Sequence, residues 1–197
     1  MATKLTSFMS NSTHLVLLWA NRLLSVLLIQ ILCFFPSSHA FAQVSSEISD
    51  HVPEAELVGQ GMFTYYLWDV YLGQLYAPAA TYTGQAPFAL KLTYQRDLKG
   101  KKIAQRSIEE MQKQQPLSRE TATHWLALME TLFPDVQKGD SITGVATRDG
   151  TTVFYFNGDE IDRVEDAGFT TRFFDIWLGS KTTEPVFKAK LLGENSR

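Results

Sequence analysis

Residues 88–96 read Phe-Ala-Leu-Lys-Leu-Thr-Tyr-Gln-Arg, the stretch with the clearest structural signal in the chain. Every second residue from Phe88 to Tyr94 is apolar, whereas the residues between them are mostly polar or small. Because the side chains of a strand alternate between two faces, this two-residue period predicts a β-strand with one buried face. The same alternation places Arg96 on the buried face, just beyond Tyr94.

Two further regions predict antiparallel strands. Residues 56–76 again show a two-residue period, with glycines at the bends, which is typical of paired strands. The alternation there puts Trp68 on the apolar side and predicts that Asp69 and Tyr71 are surface or sheet-edge residues. Residues 141–164 contain two strong hairpin turns, Asp-Gly at 149–150 and Asn-Gly at 157–158, and therefore predict a three-stranded meander.

The remaining regular segments are helical. Apolar residues recur at helical spacing over 104–111, and Ser118 is a favourable N-cap for a second helix that Pro134 ends. Two more helices are predicted near the C-terminus, the first closed by Gly179 and the second spanning 185–192. Grouped strands and grouped helices predict an α+β fold, with a large antiparallel sheet covered on one face by helices.

The N-terminal segment has the layout of a secretory signal. It contains two basic residues, Lys4 and Arg22, no acidic residue, an apolar run over 23–35, and small residues leading to Ala42. The alternative is a membrane anchor over residues 15–35, but that span would place Arg22 near mid-membrane, at a cost of about 3 kcal/mol. We therefore predict cleavage near Ala42 and a periplasmic or secreted protein without a stable membrane span after processing.

These observations divide the chain into a signal peptide (1–42), a flexible polar lead-in (43–54) and one domain (55–197). The 155 residues after Ala42 carry 16 of the 18 basic side chains and all 21 acidic ones, a net charge of −5. A mildly acidic chain without basic clusters is not expected to bind nucleic acid, because phosphate binding depends on concentrated Lys and Arg.

Several kinds of catalytic centre are disfavoured. Cys33, the single cysteine, lies within the predicted signal, which leaves no thiol in the processed chain. Only His51 and His124 remain among the histidines, and neither has a partner at metal-ligand spacing, so no metal site is predicted. Gly59-Gln60-Gly61 lacks the third glycine and the helix of a dinucleotide loop, and no cofactor is predicted.

Three stretches in this order and spacing resemble the bacterial chalcone-isomerase-like family, from about residue 55 to 193. The resemblance implies an open-faced β-sandwich with a ligand cleft between the sheet and the helices. The matching stretches are Leu57-Val58-Gly59-Gln60-Gly61 leading to Asp69-Val70-Tyr71, Leu92-Thr93-Tyr94-Gln95-Arg96, and Phe173-Phe174-Asp175-Ile176-Trp177-Leu178-Gly179 with Pro185 and Leu191-Leu192-Gly193 beyond it.

The chain departs from this family's isomerases at four matched positions. Where they carry an arginine after the Gly-x-Gly element, this chain has Phe63, and where they carry a threonine it has Tyr66. The positions of their catalytic tyrosine and asparagine correspond to Ile103 and Glu110. Closing a flavanone ring requires stabilisation of a phenolate or enolate, which a phenylalanine cannot supply. No catalytic residue is therefore predicted.

The resemblance also suggests a ligand. Plant members of this fold include non-catalytic fatty-acid-binding proteins that grip a carboxylate with an arginine and a tyrosine. Here Tyr94 and Arg96 share the inward face of one strand, and Arg106 lies on the following helix. An arginine can bind a carboxylate with two parallel hydrogen bonds. We therefore predict a site for a fatty acid or similar apolar carboxylate at Tyr94, Arg96 and Arg106.

Other interpretations remain open. Tyr94 is also suited to the core, Arg96 to capping the strand or pairing with Asp97 or Glu109, and Arg106 to a solvated helix face. The alternative functions are an isomerase acting on a chalcone-like or other enol or phenolic substrate, and a structural or partner-binding protein of the cell envelope.

Overall fold

The computed structural model describes residues 44–194. The signal peptide predicted over residues 1–42 and its cleavage site lie outside the described residues. The described residues form one compact unit. No helix within 44–194 has the length and apolar character needed to cross a bilayer.

A six-stranded antiparallel sheet forms the centre of this unit, with the strands in sequence order from β1 to β6. The predicted α+β class and the antiparallel sheet are confirmed. At the predicted Asn-Gly turn, both Asn157 and Gly158 have positive φ, at 53° and 94°, as a tight hairpin requires. The strands are β1 (Ala55–Tyr65), β2 (Trp68–Pro78), β3 (Phe88–Tyr94), β4 (Ser141–Ala146), β5 (Thr152–Phe156) and β6 (Asp159–Val164).

Five helices accompany the sheet in the described part of the chain. Ser118 caps α3 as predicted, since its hydroxyl accepts the Thr121 N–H at 3.0 Å. The Asp166 carboxylate caps α4 by accepting the N–H groups of Gly168 and Phe169. The helices are α1 (Ser46–Ser49), α2 (Gly100–Gln114), α3 (Arg119–Leu132), α4 (Ala167–Leu178) and α5 (Pro185–Leu191).

The main core lies between one face of the sheet and helices α2 to α5. Phe154 of β5 is fully buried at its centre, with its ring centroid 5.5 Å from that of Phe133 and 5.1 Å from that of Phe173. The alternation predicted for residues 88–94 is confirmed, because Phe88, Leu90, Leu92 and Tyr94 all belong to this core. Aromatic contacts of this kind fix the distance between helices and sheet.

The described part of the segment predicted as a flexible lead-in, residues 44–54, packs on the other face of the sheet. Helix α1 and the residues after it bury Ile48 and Val52 against Val145 and Val153. These two apolar residues are four positions apart and share one face of a helical turn. This spacing indicates a buried helical face, but the polar composition of the segment obscured it. The sheet is therefore covered by helices on one face and partly by α1 on the other.

The alternation of β2 is also opposite to the prediction. Tyr71, Gly73 and Leu75 face the helices, and Trp68 is exposed. Gly73 has no side chain to indicate which face of β2 is buried, and the exposed Tyr66 and Trp68 at the β1–β2 turn gave the other face a hydrophobic pattern in the sequence. Tyr71, predicted at the surface, consequently lies inside the fold.

Candidate functional site

A cavity of about 350 Å³ lies between the sheet and helices α2 and α4. Its walls are mainly apolar and aromatic, which is typical of sites for small organic ligands. The three residues predicted to bind a ligand all line it: Tyr94, Arg96 and Arg106. Other prominent lining residues are Phe63, Tyr71, Leu92, Ile103, Phe173 and Trp177.

Tyr94 provides a polar group inside this apolar cavity. The residue is 2% exposed, and its hydroxyl has no hydrogen-bond partner among the described residues. Burial, and secondarily the neighbouring Tyr71, raise the pKa of the Tyr94 hydroxyl far above its ordinary value. The hydroxyl therefore stays protonated at physiological pH and can donate a hydrogen bond to an anionic ligand.

Tyr71 is a site residue that the sequence analysis missed. It pairs with Tyr94 across β2 and β3, and the two ring centroids are 5.9 Å apart in an edge-to-face arrangement. Its hydroxyl accepts a hydrogen bond from the Trp177 indole at 3.0 Å, and burial raises its pKa. The sequence does contain a signal for the burial of Tyr71. Tyr71 and Leu75 lie on the same face of β2, and the apolar Leu75 indicates that this face is buried.

Arg96 lies at the mouth of the cavity. Its guanidinium stacks over the Trp68 ring, 5.3 Å from the ring centroid, and within residues 44–194 it forms no ion pair. Asp97 instead accepts the Lys138 N–H, and Glu109 pairs with Arg106. The guanidinium of Arg96 is therefore available to an anionic ligand.

Arg106 also lines the cavity, but its charge is already balanced. Its guanidinium lies 2.6 Å from Glu110 and 3.5 Å from Glu109. Glu110 additionally accepts hydrogen bonds from Lys113 at 2.8 Å and from the Thr183 hydroxyl at 2.7 Å. An anion near Arg106 must compete with Glu110, which favours Arg96 as the stronger anchor.

Two acidic groups lie at the Glu110 side of the cavity. Burial opposes ionisation of Glu110, but hydrogen bonds from Lys113 and Thr183 and the charge of Arg106 outweigh it and hold the pKa below its ordinary value of 4.5. Burial and the charge of Glu110 raise the pKa of Glu184. This side of the cavity is therefore less favourable to an anion than the side of Arg96, which forms no ion pair within residues 44–194.

The variant Glu110→Gln is expected to lower the free energy of unfolding at pH 7 by about 1–2 kcal/mol, less than a fully buried pair would lose, since Arg106 and Lys113 are half exposed. Because the folded-state pKa of Glu110 is depressed, its stabilisation is present above pH 4.5 and is lost as the pH falls through the folded pKa. Urea unfolding from pH 7 to pH 3 should therefore show the difference between wild type and variant shrinking on the acidic side. A difference that stays constant over this range would contradict the assignment.

The positions matched to isomerase catalytic residues have a different chemistry here. Phe63 stacks on Tyr71 with ring centroids 4.9 Å apart, Ile103 is apolar, and Glu110 is held in its ion pairs. Tyr66 is 84% exposed at the β1–β2 turn and does not line the cavity. Within residues 44–194, no group of three or more His, Cys, Asp or Glu side chains is arranged to hold a metal ion.

Comparison with known proteins agrees with this fold. A fatty-acid binding protein from Arabidopsis thaliana has a solved structure that superposes with a TM-score of 0.54, at 13% sequence identity, over 71% of this chain and 87% of that chain. No curated protein matches the chain by sequence. The protein-family model of the chalcone isomerase-like family matches residues 41–193, which is most of the chain. This protein therefore belongs to the chalcone isomerase-like family.

Proposed function

We propose that this protein is exported by a bacterial cell and binds a fatty acid or similar apolar carboxylate in the cavity, without acting as a chalcone isomerase. The observation that carries the proposal is an apolar cavity of about 350 Å³ with the hydroxyl of Tyr94 inside it and the guanidinium of Arg96 at its mouth. Within residues 44–194, this hydroxyl has no hydrogen-bond partner and this guanidinium has no ion-pair partner. An acyl chain can pack against the apolar walls of the cavity, and a carboxylate can bind the guanidinium of Arg96 at its mouth.

Two energetic contributions support this assignment. Each buried methylene contributes about 0.8 kcal/mol, roughly a fourfold gain in affinity, until the cavity is full. A hydrogen bond to a charged group contributes about 1.5–3 kcal/mol. The carboxylate accepts hydrogen bonds from Arg96 and Tyr94, while Glu110 and Glu184 disfavour the reverse orientation.

The proposed location rests on residues 1–42, whose basic start, apolar run and small residues before Gln43 are those of a cleaved signal. Native mass spectrometry of the protein recovered from the periplasm or medium tests both parts of the proposal. The intact mass should correspond to a chain that begins near Gln43, and an additional mass matching a fatty acid should be released by solvent extraction. A chain that retains residues 1–42 would contradict export with cleavage.

A calorimetric titration series tests the ligand class directly. Sodium salts of saturated fatty acids from ten to sixteen carbons should bind with affinity rising about fourfold per methylene and then levelling off as the cavity fills. The corresponding methyl esters should bind more weakly, because they lack the charge that Arg96 recognises. Equal binding of acids and esters, or no binding by any member, would contradict the proposal.

A second candidate is an enzyme acting on an enol or phenolic substrate. Tyr94 and Tyr71 both line one apolar cavity, which favours this alternative because their hydroxyls could donate to a developing oxyanion. Conversion of a chalcone by wild type, lost in Tyr94→Phe, would support it over simple binding. A structural or partner-binding role in the cell envelope does not require a cavity, whereas the cavity between sheet and helices here is open.

A further inference from the structure

The turn between β1 and β2 exposes an unusual group of large apolar side chains. Leu67 is 93% exposed, Tyr66 84% and Trp68 65%, and they are consecutive in the chain. A contiguous exposed patch of this kind marks an interaction surface more often than a scattered single residue does. These three residues are called the hairpin tip below.

Cationic side chains and the cavity mouth surround the hairpin tip. The guanidinium of Arg96 lies 5.3 Å from the Trp68 ring centroid, and that of Arg106 lies 5.9 Å from the ring of the neighbouring Tyr65. Lys102 lines the same cavity as both arginines and Tyr65. Asp69 is the acidic residue next to the tip, and it accepts a hydrogen bond from Thr64 at 2.8 Å.

We propose that the hairpin tip docks this protein on the surface of an anionic lipid bilayer. Tyr and Trp favour the headgroup level of a bilayer, where one part of the side chain is apolar and the other is hydrated, and Leu67 at the apex can enter the acyl region. Arg96 and Lys102 complement the charge of anionic headgroups, whereas Glu110 and Glu109 already balance most of the charge of Arg106. The combination of an apolar apex with cations behind it is typical of proteins that bind at a membrane interface.

Docking in this orientation brings the mouth of the cavity to the bilayer surface. An apolar carboxylate could then pass between bilayer and cavity without crossing water, a consequence that rests on the proposed function. The docking itself rests on the hairpin tip and the neighbouring cations alone. The two can therefore fail separately.

Vesicle flotation tests the docking with the chain from Gln43 onward, whose described part has its own core. Vesicles of phosphatidylcholine alone are compared with vesicles containing about one third phosphatidylglycerol. Wild type should float with the anionic vesicles, and Leu67→Asp should reduce the bound fraction about tenfold. Ile161→Asp, on β6 at the opposite edge of the sheet, is the matched control and should bind like wild type. Added salt should weaken binding.

Tryptophan fluorescence gives an independent readout. Trp125 and Trp177 are buried, so a blue shift on addition of anionic vesicles reports mainly on Trp68. Absence of wild-type flotation with anionic vesicles, or equal loss in the Leu67 and Ile161 variants, would overturn the proposal.

Titration with sodium laurate in the absence of vesicles separates docking from ligand binding. Leu67 does not line the cavity, so Leu67→Asp should keep wild-type laurate affinity. Vesicle binding without laurate binding would refute the proposed function and leave the docking intact. Laurate binding without vesicle binding would refute the docking and leave the proposed function intact.

Discussion

Replacing Arg96 with glutamine is expected to weaken fatty-acid binding about 10- to 100-fold, the range that corresponds to one charge-assisted hydrogen bond. The free energy of unfolding should change by less than about 0.5 kcal/mol, because Arg96 is exposed and makes no ion pair among the described residues. Calorimetric titration with laurate and urea unfolding measure the two quantities. A large loss of affinity without loss of stability is the signature of a ligand anchor.

Two controls make this result specific. Arg119→Gln removes an exposed arginine from the start of α3, outside the cavity lining, and should leave affinity unchanged. Dodecanol has no carboxylate, so Arg96→Gln should bind it as wild type does. Tyr94→Phe removes one neutral hydrogen-bond donor and should cost less, about fivefold. If Arg96→Gln binds laurate as wild type does and Arg106→Gln loses most of its laurate affinity, Arg106 rather than Arg96 is the carboxylate anchor.

The regular elements could be predicted from the sequence wherever local signals were unambiguous. The two-residue period of residues 88–94, the Asn157-Gly158 turn and the Ser118 cap each specify a structure through neighbouring residues. The sequence analysis did not identify the packing of residues 44–54, because Ile48 and Val52 are isolated apolar residues in a mostly polar segment. Burial against a distant strand then overrides a polar composition.

The candidate site could be predicted in part for the same reason. Strand parity was sufficient to bring Tyr94 and Arg96 to one cavity. The hydrogen bond from Trp177 to Tyr71 joins residues 106 positions apart, and no local sequence pattern predicts it. The ion pair of Arg106 with Glu110 does have a local signal, the four-residue helical spacing, but its significance depends on the buried position of Glu110 in the cavity wall.

The glycines of the Gly-x-Gly element have a packing role that is visible only in the fold. Helix α5 lies directly on β1, and a Cβ atom at Gly59 would stand 2.4 Å from the Lys190 carbonyl oxygen and 2.5 Å from the Gly193 nitrogen. Both are backbone atoms and cannot move aside as a side chain could. Phe187 of the same helix packs against Phe63 and Tyr71, with ring centroids 5.5 Å and 5.8 Å away. Phe63 and Tyr71 line the cavity, so α5 supports one cavity wall from behind.

Gly59→Ala is accordingly expected to lower the free energy of unfolding by about 3 kcal/mol, since helix and strand must separate to admit one methyl group. Laurate affinity should fall as well, because the displaced helix no longer supports Phe63 and Tyr71, which line the cavity. Gly84→Ala is the matched control: its φ of +82° makes alanine unfavourable by about 1 kcal/mol, but nothing lies within 4 Å of the added methyl group. The urea unfolding midpoints of the two variants distinguish the steric clash with α5 at position 59 from the conformational cost of a positive φ at position 84. Equal destabilisation would mean that α5 can shift freely on β1, and the packing role assigned to Gly59 would be wrong.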